Sequence, residues 1–458
     1  MIDGLKPYSA YRDSGFTWLG QVPGSWGVHR LGAFIRPLSR RNRTDLPLLS
    51  VVRERGVVLR EADDGNHNVV PEDLSNYKVV HSGDLVINKM KAWQGSLGVA
   101  SQDGIVSPAY YVYRLDAAEP RYAHALLRSP PYVGALAAAS QGVRVDQWDL
   151  STVGLRGLPL LVPPPEDQAS VVRYLDHIDS RIQRFIAAKE RLIELLEEEK
   201  RAIIHRAVTR GLDPDAPLKL SGVDAIGKIP SHWGVLPFKR VLGFREGPGI
   251  GASDFRDEGV PLLRIAGMKG AKASLAGCNY LDQRQVDERW SQFRIELHDY
   301  LLSASASAGE VVPASPDVVG AIPYTGIIRL WLISSSAHMP FVAHFLRSRP
   351  FRAQVEVMAS GVAIQHFGPT HLKRTWIALP PIEEQQKIVD ALDSQLGGYE
   401  VAVTAARRQT ELVREYRTRL ISDVVTGKVD VCDTARRLPS DPAGDVPELD
   451  EELEEAVA

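Results

Sequence analysis

The sequence is poor in the residues from which covalent and metal-held frameworks are built. Cys278 and Cys432 are the only cysteines, and no CxxC spacing occurs, so neither a disulfide framework nor a zinc cluster is predicted. The histidines show no i, i+4 pair on a helical segment, and we expect no metal site. No apolar run approaches ~18 residues, and the N-terminus lacks a basic-then-apolar pattern, so neither a membrane span nor a secretory signal is predicted. A reducing cytoplasm is the expected location.

Sequence strings that carry catalysis are missing as well. There is no G-x-x-x-x-G-K-[ST] phosphate loop and no Asn/Asp-Pro-Pro-aromatic string of the kind that amino-methyltransferases use. Gly247–Gly251 is glycine-rich but lacks the Lys and Ser/Thr that would follow in a nucleotide cradle. Two interpretations of this segment remain: a mobile loop that approaches DNA phosphates through its backbone amides, and a surface turn. We therefore expect a chain without an active site of its own.

Charge is unevenly distributed along the chain. The formal net charge is −3, yet residues 1–165 carry +3, residues 214–381 carry +4 and residues 382–458 carry −9. Most of the negative charge lies in the Pro- and acid-rich segment 432–458, which has too little apolar content to fold and is predicted to be a disordered tail. This tail could serve as a DNA mimic, a partner hook or a solubilising terminus. The two mildly basic segments permit an anionic partner without establishing one.

An internal repeat is the most informative feature that is present. Gly20, Pro23, Trp26 and Gly27 recur as Gly227, Pro230, Trp233 and Gly234. The string PPPEDQ at residues 163–168 recurs as PPIEEQ at 380–385, and the Leu-Arg-Ser at 127–129 recurs at 346–348. Such a duplication predicts a pseudo-dimer in one chain, whose natural ligand has two similar faces. The two repeated tryptophans are expected to be core anchors.

The repeat divides the chain into lobes and long helices. Apolar residues at alternating steps of three and four predict one long helix over 166–213 and a second over 382–431, which should pack antiparallel as a coiled coil. Gly397-Gly398 should kink or fray the second helix. The seam residues expected in this packing are Val171, Leu175, Ile178, Ile182, Leu192, Leu196, Ile203, Val389, Leu392, Leu396, Tyr399, Val413 and Leu420.

Each lobe shows a mixed pattern of strands and helices. Residues 1–165 and 214–381 form the two lobes, and both are predicted to be α+β. Strands are predicted at 84–88, 105–114, 260–266, 300–303 and 327–333, and helices at 121–128, 131–140, 340–347 and 350–359.

These segments together resemble the specificity subunit of type I restriction-modification systems. The resemblance runs from about residue 8 to residue 431, in the family's repeat order. It is carried by YRDSGFTWLGQVPGSWGV, GDLVINKMKAWQGSLG, GIVSPAYYVY, LVPPPEDQ, VTRGLDPDAPLKLSGV, LPPIEEQQKIVDALD and VTGKVDV. Asp167 stands where the family usually has Glu, and LHDYLLSASASAGEVV in the second lobe replaces GDLVINKMKAWQGSLG of the first.

The resemblance implies an architecture and a set of partners. Two target-recognition domains alternate with two conserved helical regions in a circular pseudo-twofold arrangement, and each domain reads one half of a split double-stranded DNA site. The helices fix the separation of the domains and dock two methyltransferase subunits, which restriction and translocase subunits join. The chain itself would be non-catalytic and bind no cofactor, with S-adenosylmethionine, ATP and Mg²⁺ on the partners. Because the two lobes differ, the expected target is asymmetric.

Candidate DNA contacts are the cationic and polar residues of the two predicted domains. Arginine and lysine neutralise phosphates, lysine can read guanine, and glutamine can pair with adenine. A solvated surface loop remains the alternative for each charged residue, and a core role for Trp93. The candidates are Arg36, Arg40, Arg41, Arg43, Lys89, Lys91, Trp93 and Gln94 in the first lobe, and Arg245, Arg264, Lys269, Lys272, Ser303, Ser305, Ser307, Gln365 and His366 in the second.

Two other functions stay open at the level of sequence. The chain could be the recognition portion of a single-chain restriction enzyme with intrinsic activity, which DNA modification by the purified chain would reveal. It could also be a scaffold without DNA contact, which predicts no salt-dependent DNA binding by the assembled complex.

Overall fold

The computed structural model describes residues 5–60, 70–117, 119–142, 148–304, 310–358 and 368–439. The chain forms two compact units. The first contains residues 1–190 and 406–458, and the second contains residues 191–405. Each of the two long helices, Pro165–Arg210 and Ile382–Val425, begins in one unit and ends in the other. We call them the first and second long helices.

The first lobe is built on a four-stranded antiparallel sheet. Its strands lie in the order Ile35–Pro37, Tyr110–Leu115, Leu85–Asn88, Leu97–Val99. The predicted strand at 105–114 is in fact two strands, because Gly104–Val106 pairs with Lys78–Val80 outside this sheet and only Tyr110–Leu115 belongs to it. The other strands of this unit are Tyr11–Asp13, Gln21–Pro23, Gly27–Arg30, Leu49–Val52, Gly56–Leu59, Lys78–Val80, Gly104–Val106, Ser140–Gln141, Asp149–Leu150 and Pro159–Val162, and its short helices are Pro120–Leu127, Pro130–Ala138, Thr152–Gly157 and Cys432–Arg437.

The second lobe repeats this sheet. Its order is Leu242–Glu246, Ile327–Leu332, Tyr300–Ser303, Val311–Pro313, again antiparallel throughout. The strand predicted at 260–266 ends at Leu263 and continues as a turn of 3-10 helix. The other strands are Leu218–Leu220, Lys228–Pro230, Gly234–Pro237, Phe255–Arg256, Val260–Leu263, Asn279–Leu281, Ile322–Pro323 and Trp376–Leu379, and the helices include Met339–Arg347, Arg349–Met358 and Pro369–Leu372.

The long helices begin where their sequences predict, but the first ends at Arg210 rather than 213 and the second at Val425 rather than 431. Each has two carboxylates in its first turn, Glu166 with Asp167 and Glu383 with Glu384, which the helix dipole favours. Just beyond the C-terminal ends, Gly211 and Gly427 have φ values of +71° and +76°, a left-handed conformation that suits glycine. The second helix runs through Gly397-Gly398 without interruption, so the expected fraying is wrong. Packing of the flanking turns outweighs the propensity cost of two glycines.

The two helices pack antiparallel inside each unit, as predicted. In the first unit Ile182, Phe185 and Ile186 bury against Val413, and Arg417 forms an ion pair with Asp179. In the second unit the first helix buries Ile204, Ala207 and Val208 in the core that Val389, Leu392 and Leu396 also enter, and Lys200 pairs with Glu400 at 3.0 Å.

One seam assignment needs correction. Leu192 lies at the surface with 43% of its area exposed, as does its neighbour Leu195 at 46%. Leu196 is partly buried, and Ile203 packs against the core that Ile204 enters. The predicted seam is therefore broken at Leu192.

The repeated sequence strings build a common frame in each unit. The strand that follows each repeated tryptophan pairs with the last strand of its lobe, Gly27–Arg30 with Pro159–Val162 and Gly234–Pro237 with Trp376–Leu379. Trp26 and Trp233 are 1% and 0% exposed, so both are core anchors as predicted.

Part of the predicted tail is folded. Cys432–Arg437 is a helix in the first unit, with Cys432 and Ala435 buried. Disorder from residue 432 onward is therefore wrong for residues 432–439, and the acidic residues beyond lie outside the described part of the chain. Among the described residues no helix is long and apolar enough to cross a membrane.

Candidate nucleic-acid interface

A loop that carries candidate residues follows the same edge strand of the duplicated sheet in both lobes. In the first lobe Leu38 N donates to Val112 O at 2.8 Å as the chain leaves the sheet, and the arginine-rich loop follows. In the second lobe the strand Leu242–Glu246 is longer, Gly247 N donates to Ile327 O at 2.9 Å, and the glycine-rich loop follows. The repeat aligns Leu38 with Arg245, so Arg40 corresponds to Gly247.

The first lobe presents a group of cations that includes one residue missed in the sequence. The Arg41 guanidinium donates to Asn76 Oδ1, and Lys78 Nζ donates to Tyr110 O. Partial burial lowers the pKa of Lys78, and the positive charges of Arg41 and Lys89 lower it further. The three cations are therefore close enough to repel one another, a cost that a bound anion would relieve. Lys78 begins a short strand, and only the tertiary fold reveals its neighbours.

Other first-lobe candidates are already paired with carboxylates. Arg36 Nε lies 3.4 Å from Asp116, and Arg43 makes two 2.7 Å hydrogen bonds to Asp45. The hydrogen bond from Arg43 lowers the pKa of the Asp45 carboxyl. A DNA phosphate can bind Arg36 or Arg43 only in competition with the carboxylate that already pairs with that arginine.

Arg40, which is exposed, and the residues of the next loop complete the first-lobe set. Lys89 Nζ pairs with Asp149 at 2.9 Å. Lys91 is exposed, and Gln94 is partly buried at the end of a 3-10 turn.

Trp93 is neither a core residue nor a freely exposed one. Its indole N–H donates to Met90 O at 3.2 Å, and its ring lies 5.4 Å from that of Trp148. The pair is partly buried. The contact of Trp93 with DNA therefore stays a prediction.

In the second lobe Arg264 is held between aromatic rings. Its guanidinium carbon lies 4.0 Å from the centroid of Tyr324 and 5.9 Å from that of Phe255. Arg245 instead donates to Gln292 O and lies over Phe293 at 5.7 Å.

The remaining second-lobe candidates divide into three groups. Lys269 and Lys272 are exposed in the turn after the 3-10 helix Ile265–Met268. Ser303 is 1% exposed within its strand, so its assignment as a surface contact is corrected. Ser305, Ser307, Gln365 and His366 lie outside the described residues.

The glycine-rich loop has a packing explanation. A Cβ at Gly247 would lie 2.0 Å from Pro323 O, so only glycine permits this approach. Thr325 Oγ1 donates to Pro248 O at 2.8 Å and ties the loop to the neighbouring strand. These contacts favour the surface turn over a mobile loop at its first two residues. Among the described residues no group of His, Cys, Asp or Glu is placed to hold a metal ion.

Comparison with known proteins agrees with this architecture. Residues 230–408 match the family described as type I restriction modification DNA specificity domain. The chain is 21% identical over 429 residues to the type I restriction enzyme MjaVIII specificity subunit of Methanocaldococcus jannaschii, covering 90% of this chain and 94% of that protein. It is also 21% identical over 451 residues to the putative MjaX specificity subunit of the same organism, covering 92% and 98%.

A solved structure shares the fold over most of the chain. It is described as the structural basis of complex assembly and conformational transition of the type I R-M system. It aligns with a TM-score of 0.62 and 17% identity, covering 88% of this chain and 98% of the other. Residues 230–408 thus resemble a type I DNA specificity domain, and over nine-tenths of its length the chain is similar to type I specificity subunits.

Proposed function

We propose that this specificity subunit is non-catalytic and reads a bipartite, asymmetric target in double-stranded DNA, one half with each lobe. The observation that carries the proposal is the duplicated sheet with unlike loops. The strand order and direction are the same in both lobes, while Arg40 and Arg41 stand in one where Gly247 and Pro248 stand in the other. Equal frames favour equivalent placement on DNA, and unequal side chains favour unequal half-sites.

Lobe exchange tests this proposal. Residues 1–165 are replaced by the matching lobe of another specificity subunit, and the hybrid is produced with its methyltransferase partner. Base-resolution mapping of methylated sites should show one half of the target changed and the other retained. A target that changes in both halves contradicts separate reading. If the complex with the parental chain produces no methylated motif, the proposal of sequence-specific DNA reading is contradicted.

The proposed partners are two methyltransferase subunits and the restriction and translocase subunits, which hold S-adenosylmethionine, ATP and Mg²⁺, in the cytoplasm. The exposed leucines of the first long helix support docking, because Leu192 and Leu195 place apolar area on a surface that otherwise carries charge. Leu192→Glu with Leu195→Glu should abolish co-purification with the methyltransferase subunit while the circular dichroism spectrum is retained. Arg191→Glu with Glu194→Arg, which preserves net charge on the same turn, is the control. Unchanged co-purification of the leucine variant would remove this surface from the interface.

A further inference from the structure

The geometry points to Arg264 as the residue of the second lobe that reads a guanine, with Tyr324 and Phe255 as its positioning residues. This inference rests on the proposed function, because it assigns one base contact within the second half-site. Three steps lead to it: the state of the guanidinium, the way the fold holds it, and the chemistry of its donors.

The Arg264 guanidinium lacks a polar partner among the described residues, unlike three other arginines of the second lobe. Arg294 pairs with Asp287 at 2.7 Å, Arg329 lies between Glu296 and Asp299, and Arg245 donates to a backbone carbonyl. Arg264 has aromatic contacts alone. Its side chain is partly buried, yet its N–H donors are not used within the described part of the protein.

Strand pairing fixes the position of the aromatic rings. Val260–Leu263 runs parallel to Ile322–Pro323, with Leu263 opposite Pro323, so the next residues along, Arg264 and Tyr324, lie side by side. Tyr324 N donates to Leu263 O at 3.0 Å and locks this register. Phe255 reaches the same guanidinium from a strand paired with Asn279–Leu281. Stacking on a ring restricts the rotation of the guanidinium plane before any ligand binds.

A planar fork of this kind suits the guanine edge. Guanine presents the O6 and N7 acceptors side by side in the major groove, and a bidentate arginine is the commonest specific contact to it. A phosphate accepts from the same donors and accepts equally well from lysine. Lysine can also donate to guanine, but without the stacked planar fork it discriminates the base less strongly. The substitution Arg264→Lys should therefore weaken base reading while it preserves a phosphate contact.

The experiment measures the methylated motif of the assembled complex. Full-length Arg264→Lys and Arg264→Ala are each produced with the methyltransferase partner, and methylated sites are mapped at base resolution. Both variants should relax one G·C position in a single half-site, with discrimination at that position falling roughly 5- to 150-fold. Tyr324→Phe, which keeps the ring, should retain the motif, and Tyr324→Leu should relax the same position. Arg284→Ala removes an exposed arginine of the same unit and should change nothing.

Each alternative result contradicts the inference in a distinct way. A motif that stays intact in Arg264→Ala shows that Arg264 reads no base. Retention by Arg264→Lys, with weaker binding of all sequences by Arg264→Ala in fluorescence anisotropy, assigns it to a phosphate. If the parental complex yields no bipartite motif, the proposed function fails rather than the assignment of Arg264. Loss of all methylation by one variant is resolved by thermal unfolding and by the other substitution at the same position.

Discussion

The two repeated tryptophans differ in one hydrogen bond, and this difference makes a sharp prediction. In the second unit the Trp233 indole N–H donates to Glu384 Oε1 at 3.0 Å, and His232 contacts Oε2 at 2.7 Å. In the first unit the buried indole nitrogen of Trp26 has no hydrogen-bond partner among the described residues. The residue at the position of Glu384 in the repeat is Asp167, whose side chain is one methylene shorter.

We expect Asp167→Glu to supply the missing acceptor to Trp26. A new hydrogen bond contributes about 1 kcal/mol to the free energy of unfolding, with a range of roughly 0.5–1.5 kcal/mol. For a unit of this size, about 1 kcal/mol corresponds to a rise in Tm of roughly 2–4 °C. The reverse change, Glu384→Asp, leaves the Trp233 donor buried without its acceptor and should cost about 1–3 kcal/mol in the second unit.

The assay must assign each change to its unit, because a chain with two units need not unfold in one step. Hydrogen-exchange mass spectrometry reports the local free energy of opening by segment, and ¹⁵N spectra of the indole groups report the bond itself. Asp167→Asn and Glu384→Gln keep the original side-chain lengths and serve as controls. Asp167 also lies beside Cys432. Burial raises the pKa of the Cys432 thiol to about 12, and the charge of Asp167 and a hydrogen bond to it contribute to the rise.

The outcome that would refute the reasoning is specific. If Asp167→Glu leaves the Trp26 indole signal and the stability of residues 15–31 unchanged while Glu384→Asp destabilises the second unit, the frames of the two units are not equivalent at this position. Cys432→Ala in the Asp167→Glu background shows whether the bond to the thiol holds the longer carboxylate away from Trp26.

Three further predictions follow from other parts of the molecule. Changing Arg40 and Arg41 to Ala should weaken binding of the assembled complex to all DNA sequences. The slope of log K against log salt should fall by about 1 per lost phosphate contact. An unchanged slope would show that both arginines belong to a solvated loop without phosphate contacts. Burial, with Arg128 nearby, lowers the pKa of His124 to about 4, and its Nδ1 accepts from Val99 N at 3.1 Å. The folded state therefore favours neutral His124, so stability is complete above pH 6.5 and falls between pH 6.5 and 4 by up to about 3 kcal/mol; His124→Asn should flatten this pH dependence in the first unit, and an unaltered profile would remove His124 as its cause. Four residues inserted near Glu197 should lengthen the first long helix by about 6 Å and widen the unread gap between half-sites by about one or two base pairs; methylation mapping that finds the original gap would show that the helix does not set it.

The frame of the fold was predictable because its residues repeat. The Leu-Arg-Ser string recurs because each arginine donates to the first carbonyl of the edge strand, Arg128 to Leu97 O and Arg347 to Val311 O. The glutamine of PPPEDQ and PPIEEQ recurs because its amide donates to the first proline carbonyl of its own string, at 2.8 Å from Gln168 and 2.9 Å from Gln385. These bonds are local or lie within one lobe, so the duplication preserved them as sequence strings.

The candidate interface was predictable by class of residue and not by position. Lys78 was missed because its neighbours Arg41 and Lys89 lie in other loops of the lobe, and Arg264 was named without its aromatic neighbours because they come from other strands and loops. Ser303 was assigned to the surface although its strand, which pairs on both sides, is buried on both faces. Leu192 was assigned to the helix interface but is exposed. A heptad pattern does not show where the packing of the partner helix changes.

The separation of repeated and unrepeated residues bears on how such a chain can change its target. In each unit the strand after the repeated tryptophan pairs with the last strand of the lobe. The tryptophan itself packs at the end of a long helix, where a Cβ at Gly427 would lie 3.0 Å from Trp26 and one at Gly211 3.3 Å from Trp233. The frame therefore closes without using the loops that follow Ile35–Pro37 and Leu242–Glu246. Substitutions in those loops leave the buried bonds of the frame in place, so the proposed DNA-reading surface can diverge at little cost in stability. The two lobes of this chain, alike in strand order and unlike at Arg40 and Gly247, are what such divergence after duplication should produce.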